Sequence, residues 1–136
     1  MPLPDRSGFP VLQPAERCPC RSGHPFAECC APFLGGAPAP TAVQLMRPRY
    51  TAYVVGATAY LLATWHPSTR PASLELDPNL TWRSLEIIRT EGGGPLDREG
   101  VVEFAARYAD EGERGVLHET SRFVRRDRWQ YVDGIA

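Results

Sequence analysis

The sequence predicts an α+β fold in which a few short helices precede a curled antiparallel sheet of four strands. From Thr81 onward, runs rich in β-branched and aromatic residues alternate apolar and polar side chains, and turn-forming segments separate these runs. Between Thr41 and Pro67 the apolar spacing is helical instead. All four cysteines lie ahead of both parts, within thirteen positions. Helices followed by an antiparallel meander are typical of the α+β class.

The first helix is predicted to begin after Thr41, whose side chain can cap the backbone N–H of Gln44 in a capping box. Pro48 stands at the seventh helical position, where it removes a backbone hydrogen bond and disfavours helical geometry at Arg47. We therefore expect a kink or a restart near Arg47. A second short helix is predicted to end before Pro67, with three inward-facing residues: Leu61, Leu62 and Trp65.

The four strands are predicted to cover about residues 82–91, 99–109, 114–125 and 128–133. If Glu111-Gly112 is a two-residue hairpin loop, the second and third strands pair in a defined register. The residues that then lie opposite one another are Ala106 and Leu117, Phe104 and Glu119, and Val102 and Ser121. A glutamate and a serine would therefore lie on an otherwise apolar face of the sheet.

The last hairpin is predicted to close through Arg126-Asp127 as another two-residue loop. In that register Arg122 lies opposite Tyr131, and Val124 lies opposite Trp129. His118 and Thr120 would join them. The prediction thus places a second cluster of polar and aromatic residues on the other face of the sheet.

Composition excludes several classes of protein. The 136 residues suit one compact domain with an appendage. Fifteen basic and sixteen acidic residues leave a formal charge of −1, which provides no general attraction to nucleic acid. Every basic residue is arginine, so chemistry that requires a lysine, such as a Schiff base or a Walker-type phosphate loop, is excluded.

Neither a targeting segment nor a membrane span is predicted. The N-terminal stretch up to Arg17 contains four prolines and lacks the apolar run of a signal peptide. The longest apolar stretch, from Tyr53 to Trp65, is shorter than the roughly 20 residues that cross a bilayer. We therefore expect a cytoplasmic protein, in which a cysteine cluster binds metal more often than it forms disulfides.

The cysteines form two close pairs, Cys18-x-Cys20 and Cys29-Cys30, separated by eight residues. Four thiolates complete a tetrahedral zinc site. The turn-forming residues between the pairs leave little else to stabilise this segment, so one structural Zn²⁺ is predicted. Two disulfides or a catalytic redox pair are the alternatives. His24, which lies between the pairs, could replace a cysteine as a ligand.

The stretch CPCRSGHPFAECC resembles the SEC-C zinc motif, which is also found at the C-terminus of the preprotein translocase motor SecA. Four later blocks, LMRPRYTAYVVG, YLLATWHP, ETSRF and WQYVDG, resemble the YchJ family of bacterial proteins, which combine a SEC-C motif with an NTF2-like domain. The resemblance implies an NTF2-like (cystatin-like) cone, in which helices cover the concave face of the sheet, and it implies no particular reaction. Arg21 replaces the motif's usual glycine, and Pro48 replaces a small polar residue.

Composition and resemblance together divide the chain into four parts. Residues 1–16 are predicted to be a disordered tail, residues 17–36 the zinc knuckle with its SEC-C motif, residues 37–41 a Pro/Gly/Ala linker, and residues 41–136 the NTF2-like domain. A linker of this kind predicts that the domain unfolds cooperatively even when the knuckle is deleted.

Glu119 is the main candidate for a site outside the knuckle. It could form an ion pair with Arg47 or Arg49 and so hold the first helix on the sheet, or it could be a pocket acid with a pKa raised by apolar neighbours. His66 could cap the second helix, or it could act as an acid or base together with Glu119. The other polar or aromatic candidates for a pocket or a structural role are Tyr50, Trp65, Ser121, Arg122 and Tyr131.

Two function hypotheses follow from these candidates. The first is a zinc-binding adaptor or small-ligand-binding protein, whose knuckle docks on a protein partner and whose sheet could form a homodimer. The second is a small-molecule hydrolase, isomerase or dehydratase that uses His66 and Glu119, although no convincing nucleophile is present. The two hypotheses differ in whether these two residues line one cavity. The arginines around the last turn are interpreted as solvated residues rather than as a nucleic-acid site: Arg125, Arg126 and Arg128.

Overall fold

The computed structural model describes residues 8–135 and confirms the α+β fold with a four-stranded antiparallel meander. A one-turn 3-10 helix (Phe26–Glu28) precedes helices α1 (Ala31–Leu34), α2 (Ala42–Val55) and α3 (Thr58–Ala63). The sheet follows, with its strands in chain order: β1 (Leu80–Gly92), β2 (Glu99–Asp110), β3 (Glu113–Arg125) and β4 (Trp129–Gly134). In the part of the chain described, no helix is long and apolar enough to cross a membrane.

Helix α2 begins where the capping signal predicts it. The Gln44 backbone N–H donates to Thr41 Oγ1 at 3.2 Å, and the helix ends at Gly56, which has a left-handed φ of 73°. A side chain at Gly56 would also come within 2.7 Å of the Phe9 ring. Of the predicted kink or restart near Arg47, the restart is wrong, because α2 continues through Pro48, and the kink stays a prediction. Pro48 is fully buried, so packing on its ring compensates for the hydrogen bond that it removes.

The hairpin of β2 and β3 has the predicted register. Ala106 pairs with Leu117, and the pairs Phe104/Glu119 and Val102/Ser121 follow along the strands. The loop residues Glu111 and Gly112 have φ values of 50° and 89°. Positive φ at both loop residues is the geometry of the two-residue turn that suits the twist of a hairpin.

The predicted register of the last hairpin, between β3 and β4, is wrong. The loop contains three residues, 126–128, and the Arg126 N–H donates to Arg128 O at 3.2 Å. Tyr131 therefore pairs with Phe123, and a bulge then places Asp133 opposite Arg122. Because neighbouring residues of a strand point to opposite faces, the extra loop residue moves Tyr131 to the face that carries Glu119.

The sheet bends around helix α2. Irregular pairing at Arg83 and at Ile88 places one extra residue in β1 at each point, and such bulges bend and twist a strand. Helix α2 contacts β1, β2 and β4. The buried core lies between the helix and the sheet and includes Leu45, Met46, Tyr50, Leu85, Val102, Phe104, Phe123 and Trp129.

The knuckle packs on the same core. Cys18, Cys20 and Cys30 belong to the buried cluster that contains the α2 residues, and the linker is tied to the sheet by Trp129 Nε1, which donates to Pro40 O at 3.1 Å. Of the predicted disordered tail, residues 1–7 lie outside the described chain. Residues 8–16 differ from the prediction, since the carbonyls of Pro14 and Glu16 accept hydrogen bonds from the 3-10 helix. The four-part division itself stays a prediction.

These contacts change the expected result of deleting the knuckle. A chain starting at residue 37 would expose the side of α2 that the knuckle covers, at a cost of about 1.5–3 kcal/mol for each apolar side chain that becomes fully exposed. We expect its thermal midpoint to fall by at least about 10 °C in differential scanning calorimetry. A full chain cleaved within the linker, with both pieces retained, is the control and should stay near the uncleaved midpoint. Equal midpoints for the deleted and full chains would show that the two units are independent.

Candidate metal centre and cavity

The four cysteine sulfurs form a compact group. All four lie within 4.8 Å of one another, with Cys29 Sγ at 3.5 Å from Cys20 Sγ and at 4.0 Å from Cys30 Sγ. A tetrahedral ion with metal–sulfur bonds of about 2.3 Å requires sulfur separations of about 3.8 Å. The cysteines are free thiols, so the group fits a tetrahedral metal ion and not a pair of disulfides. His24 is exposed and lies outside this group.

Short turns hold the cysteines in place. The Cys18 N–H donates to His24 O at 2.9 Å, and the Arg21 N–H donates back to Cys18 O at 3.1 Å. Arg21 has a φ of 65°, so the left-handed backbone favoured by the motif's glycine is kept by an arginine. Its guanidinium compensates by donating to Arg83 O on β1 at 3.0 Å, which ties the knuckle to the sheet.

Helix α2 supplies a second layer of contacts to the metal group. Thr51 Oγ1 donates to Cys30 Sγ at 3.3 Å and lies 3.8 Å from Cys18 Sγ. Arg47 Nη1 donates to Cys20 O at 2.8 Å. Hydrogen bonds of this kind orient metal ligands, and the arginine offsets the negative charge of four thiolates.

Two of the thiols, Cys29 and Cys30, have raised pKa values. Burial raises the pKa of Cys29 to about 11. The pKa of Cys30 is raised as well, chiefly because its thiol donates hydrogen bonds to Cys18 and Cys20. Without a cation these two sulfurs therefore keep their protons at neutral pH, and a bound metal ion must displace them.

A cavity of about 180 Å³ lies between α2 and the concave face of the sheet. One end is polar and is lined by Arg49, Tyr53, Glu119, Ser121 and Tyr131. The rest of the wall is mostly apolar and is lined by Met46, Tyr50, Trp82, Phe104, Ala106 and Leu117. A mainly apolar cavity with a few convergent polar groups is the usual form of a small-molecule site.

Arg49 is the buried cation of the cavity. The side chain is 3% exposed, and Nη1 donates to Leu61 O at 2.8 Å and to Thr64 Oγ1 at 2.6 Å. The guanidinium carbon lies 4.5 Å from the centre of the Tyr131 ring and 5.0 Å from that of Trp65. Trp65 therefore has the predicted packing role, with an added cation–π contact.

The predicted ion pair between Glu119 and a helix arginine is wrong. Arg47 faces the knuckle, and no oxygen of Glu119 lies within 4.0 Å of an Arg49 nitrogen. The Glu119 carboxylate instead accepts hydrogen bonds from Ser121 Oγ at 2.5 Å and from the Tyr131 hydroxyl at 3.4 Å. Arg47 and Arg49 are two positions apart on the helix and therefore point in nearly opposite directions, so only Arg49 lies on the cavity side.

His66 and Glu119 do not share a cavity. His66 borders a separate surface depression near the β3–β4 loop. Its ring Nδ1 accepts from the Ser68 N–H at 3.1 Å, and its backbone N–H donates to Tyr131 O at 2.8 Å. Among the described residues the ring forms no hydrogen bond with α3, whose C-cap residue is Thr64, so the capping role of His66 stays a prediction. These contacts also separate His66 from the acid that the enzyme hypothesis requires.

The outer face of the sheet carries ion pairs. Arg122 lies there and donates to both oxygens of Asp133 at 2.8 Å. That carboxylate raises the pKa of Arg122. Nearby, His118 Nε2 lies 2.6 Å from Glu103, which also bonds Arg89. Arg122 is therefore a surface residue and not a pocket residue.

Several cavity residues were not predicted. Tyr53 was missed, although it lies four positions after Arg49 and therefore on the same side of α2. Burial raises the pKa of Tyr53, and Arg49 and Glu119 are its main charged neighbours. The pairing of Trp82 with Tyr50, with ring centres 6.2 Å apart, depends on how β1 crosses the helix and has no local sequence signal. The Tyr50 hydroxyl is buried without a hydrogen-bond partner among the described residues.

The comparisons with known proteins agree with this architecture. Residues 41–134 match the family model described as the YchJ middle NTF2-like domain, and residues 15–32 match the SEC-C motif. A UPF0225 protein of Chromobacterium violaceum is 53% identical over 87% of this chain and 91% of its own. One of Streptomyces coelicolor is 50% identical over 89% and 96%. The solution structure of a SEC-C motif containing protein from Rhodopseudomonas palustris is similar with a TM-score of 0.76, at 29% identity and covering 89% of this chain and 98% of that one.

The group of four cysteines predicts one metal ion per chain. The purified protein should contain about one equivalent of metal per chain by elemental analysis, and Cys29→Ser should lose it because three sulfurs remain. Ser22→Ala is the matched control, since Ser22 Oγ contacts Cys29 Sγ at 3.0 Å and accepts from the His24 N–H at 3.2 Å, and its removal leaves all four cysteines. Metal-free protein with two disulfides would contradict the assignment.

The hydrogen bonds of Glu119 predict a mild effect of Glu119→Gln on stability. Glutamine can still accept from Ser121 and Tyr131, so we expect a loss of about 1 kcal/mol, or about 5 °C in the thermal midpoint. The comparison is Glu86→Gln, which changes an exposed glutamate of β1. A fall of more than about 15 °C for Glu119→Gln alone would instead indicate the direct ion pair with a buried arginine.

Proposed function

The chain belongs to the YchJ (UPF0225) family, with a SEC-C motif ahead of an NTF2-like domain, and from this premise we propose that it is a zinc-stabilised protein that binds a small molecule in its cone. The observation that carries the proposal is the cavity with Arg49, Tyr53 and Glu119 at one end. Three hydrogen-bonding side chains at the end of a mainly apolar cavity provide orientation, while the apolar wall provides binding area.

Zinc is the metal that best suits the knuckle. Thiolate ligands in a tetrahedral arrangement favour zinc over harder divalent ions, and four protein ligands leave no open position for substrate. The ion is therefore structural, and it supports the knuckle against α2. The elemental analysis of the purified protein identifies it, and iron or another metal in place of zinc would contradict this part of the proposal. Reduced thiols in this group are consistent with the cytoplasmic location that we propose.

The enzyme hypothesis has less support than small-ligand binding. Its acid and base, His66 and Glu119, border different concavities. Docking of a partner through the knuckle and a homodimer through the sheet stay predictions of the sequence. The knuckle does offer a free outer side, because Arg17, His24 and Glu28 are exposed while the cysteines face α2.

Small-ligand binding predicts a specific pattern of loss in a fragment screen. Fragments of about ten non-hydrogen atoms should shift NMR signals of Trp82 and Leu117 in the full metal-loaded chain. Leu117→Trp should abolish the shift at Trp82, because the larger side chain fills the cavity. Val116→Trp is the matched control, since Val116 is 56% exposed and lies on the opposite face of β3. Failure of all fragments to shift the cavity signals, or equal loss in both variants, would contradict the proposal.

A further inference from the structure

Arg49 lies in the cavity without a carboxylate in direct contact. Within residues 8–135, no carboxylate oxygen lies within 4.0 Å of its guanidinium. Its two hydrogen bonds both start from Nη1 and end on the neutral acceptors Leu61 O and Thr64 Oγ1. Burial lowers the pKa of Arg49, which reflects the loss of water around the charge. Arginine nevertheless stays protonated in proteins, so the cavity contains a desolvated cation.

The surrounding contacts hold this cation in one place. Two rings, of Trp65 and Tyr131, lie against the guanidinium, and Nη1 is anchored to α3 and the residue after it. Nε and Nη2 donate no hydrogen bond to the described residues, while the residue borders the cavity. A fixed guanidinium with free N–H groups suits a planar anion, because a carboxylate can accept two parallel hydrogen bonds from it.

Glu119 restricts the anion further. Its carboxylate lies at the same end of the cavity, held by Ser121 and Tyr131, and it would repel a ligand that was only an anion. A hydroxyl or amino group on the ligand would convert this repulsion into a hydrogen bond. The cavity, at about 180 Å³, is smaller than typical sites for drug-sized ligands, and Trp82 and Phe104 form part of its apolar wall.

We infer that the ligand is a small carboxylic acid with an apolar body and a hydroxyl or amino group. Its carboxylate pairs with Arg49, its hydroxyl or amino group donates to Glu119, and its body contacts the aromatic wall. The inference rests on the proposed small-ligand function and names the ligand class for that same cavity.

The test compares four probes on the full metal-loaded chain by NMR titration and calorimetry. They are mandelate, which carries its hydroxyl next to its carboxylate, phenylacetate, the neutral analogue mandelamide, and benzyl alcohol. We expect mandelate to bind at least tenfold more tightly than mandelamide and severalfold more tightly than phenylacetate, with shifts at Trp82 and Leu117. Equal affinity for mandelate and mandelamide would overturn the inference, and so would shifts confined to the arginines of the β3–β4 loop.

Two variants separate the roles of the charged residues. Arg49→Lys should weaken mandelate binding at least tenfold, because lysine lacks the fork of donors. Arg107→Lys is the matched control on the outer face of the sheet and should leave binding unchanged, since Arg107 is half exposed and pairs with Glu86. Glu119→Gln, which should fold, is expected to tighten phenylacetate and to bring phenylacetate and mandelate to similar affinities. If Glu119→Gln leaves the relative affinities of the probes unchanged, the ligand does not need a hydroxyl or amino group.

The outcomes distinguish this inference from the function on which it rests. If neutral fragments shift the cavity signals and carboxylates bind no better, small-ligand binding stands and the carboxylic acid is wrong. If neither neutral nor acidic probes shift the cavity signals, both proposals fail.

Discussion

Burial of helix α2 on both sides is the constraint on which the rest of the structure depends. Buried residues occur all around this helix, among them Leu45, Pro48, Arg49 and Thr51. A helix that is apolar on every side must be covered on every side. The sheet covers one side and the knuckle covers the other. The cysteine group and the cavity therefore lie on opposite sides of one helix. Loosening of the knuckle would allow α2 to move and would change the shape of the cavity.

The two arginines that flank Pro48 show how this helix serves both sites. Arg47 donates to the knuckle backbone, and Arg49 enters the cavity. Residues two positions apart on a helix differ by about 200° in direction, so one helix can place equal charges in opposite environments. At the knuckle the arginine lies near thiolates. In the cavity the arginine meets two aromatic rings, one carbonyl oxygen and one hydroxyl, which stabilise a cation less than a carboxylate does.

A single residue in a loop decides which aromatic ring meets Arg49. The three-residue loop after β3 places Tyr131 on the concave face. There its ring lies under Arg49 and its hydroxyl donates to Glu119. Gly134 completes the arrangement, since a side chain there would come within 2.6 Å of the Glu119 carboxylate. With the two-residue loop that local rules favour, Tyr131 would lie on the outer face and the polar end of the cavity would lose that ring.

The sequence by itself determined the features that depend on neighbouring residues. These are the cluster of four cysteines that could hold a metal ion, the cap at Thr41, the positions of the strands and the register of the Glu111-Gly112 hairpin, because spacing and turn chemistry act over a few residues. Only the tertiary structure decided the docking of the knuckle on α2, the register of the last hairpin and the surroundings of Arg49. Each of these depends on contacts between segments distant in the chain, such as Trp65 with Tyr131 or Trp129 with Pro40. These contacts are stabilised by packing and opposed by desolvation, and neither energy can be read from a local sequence pattern.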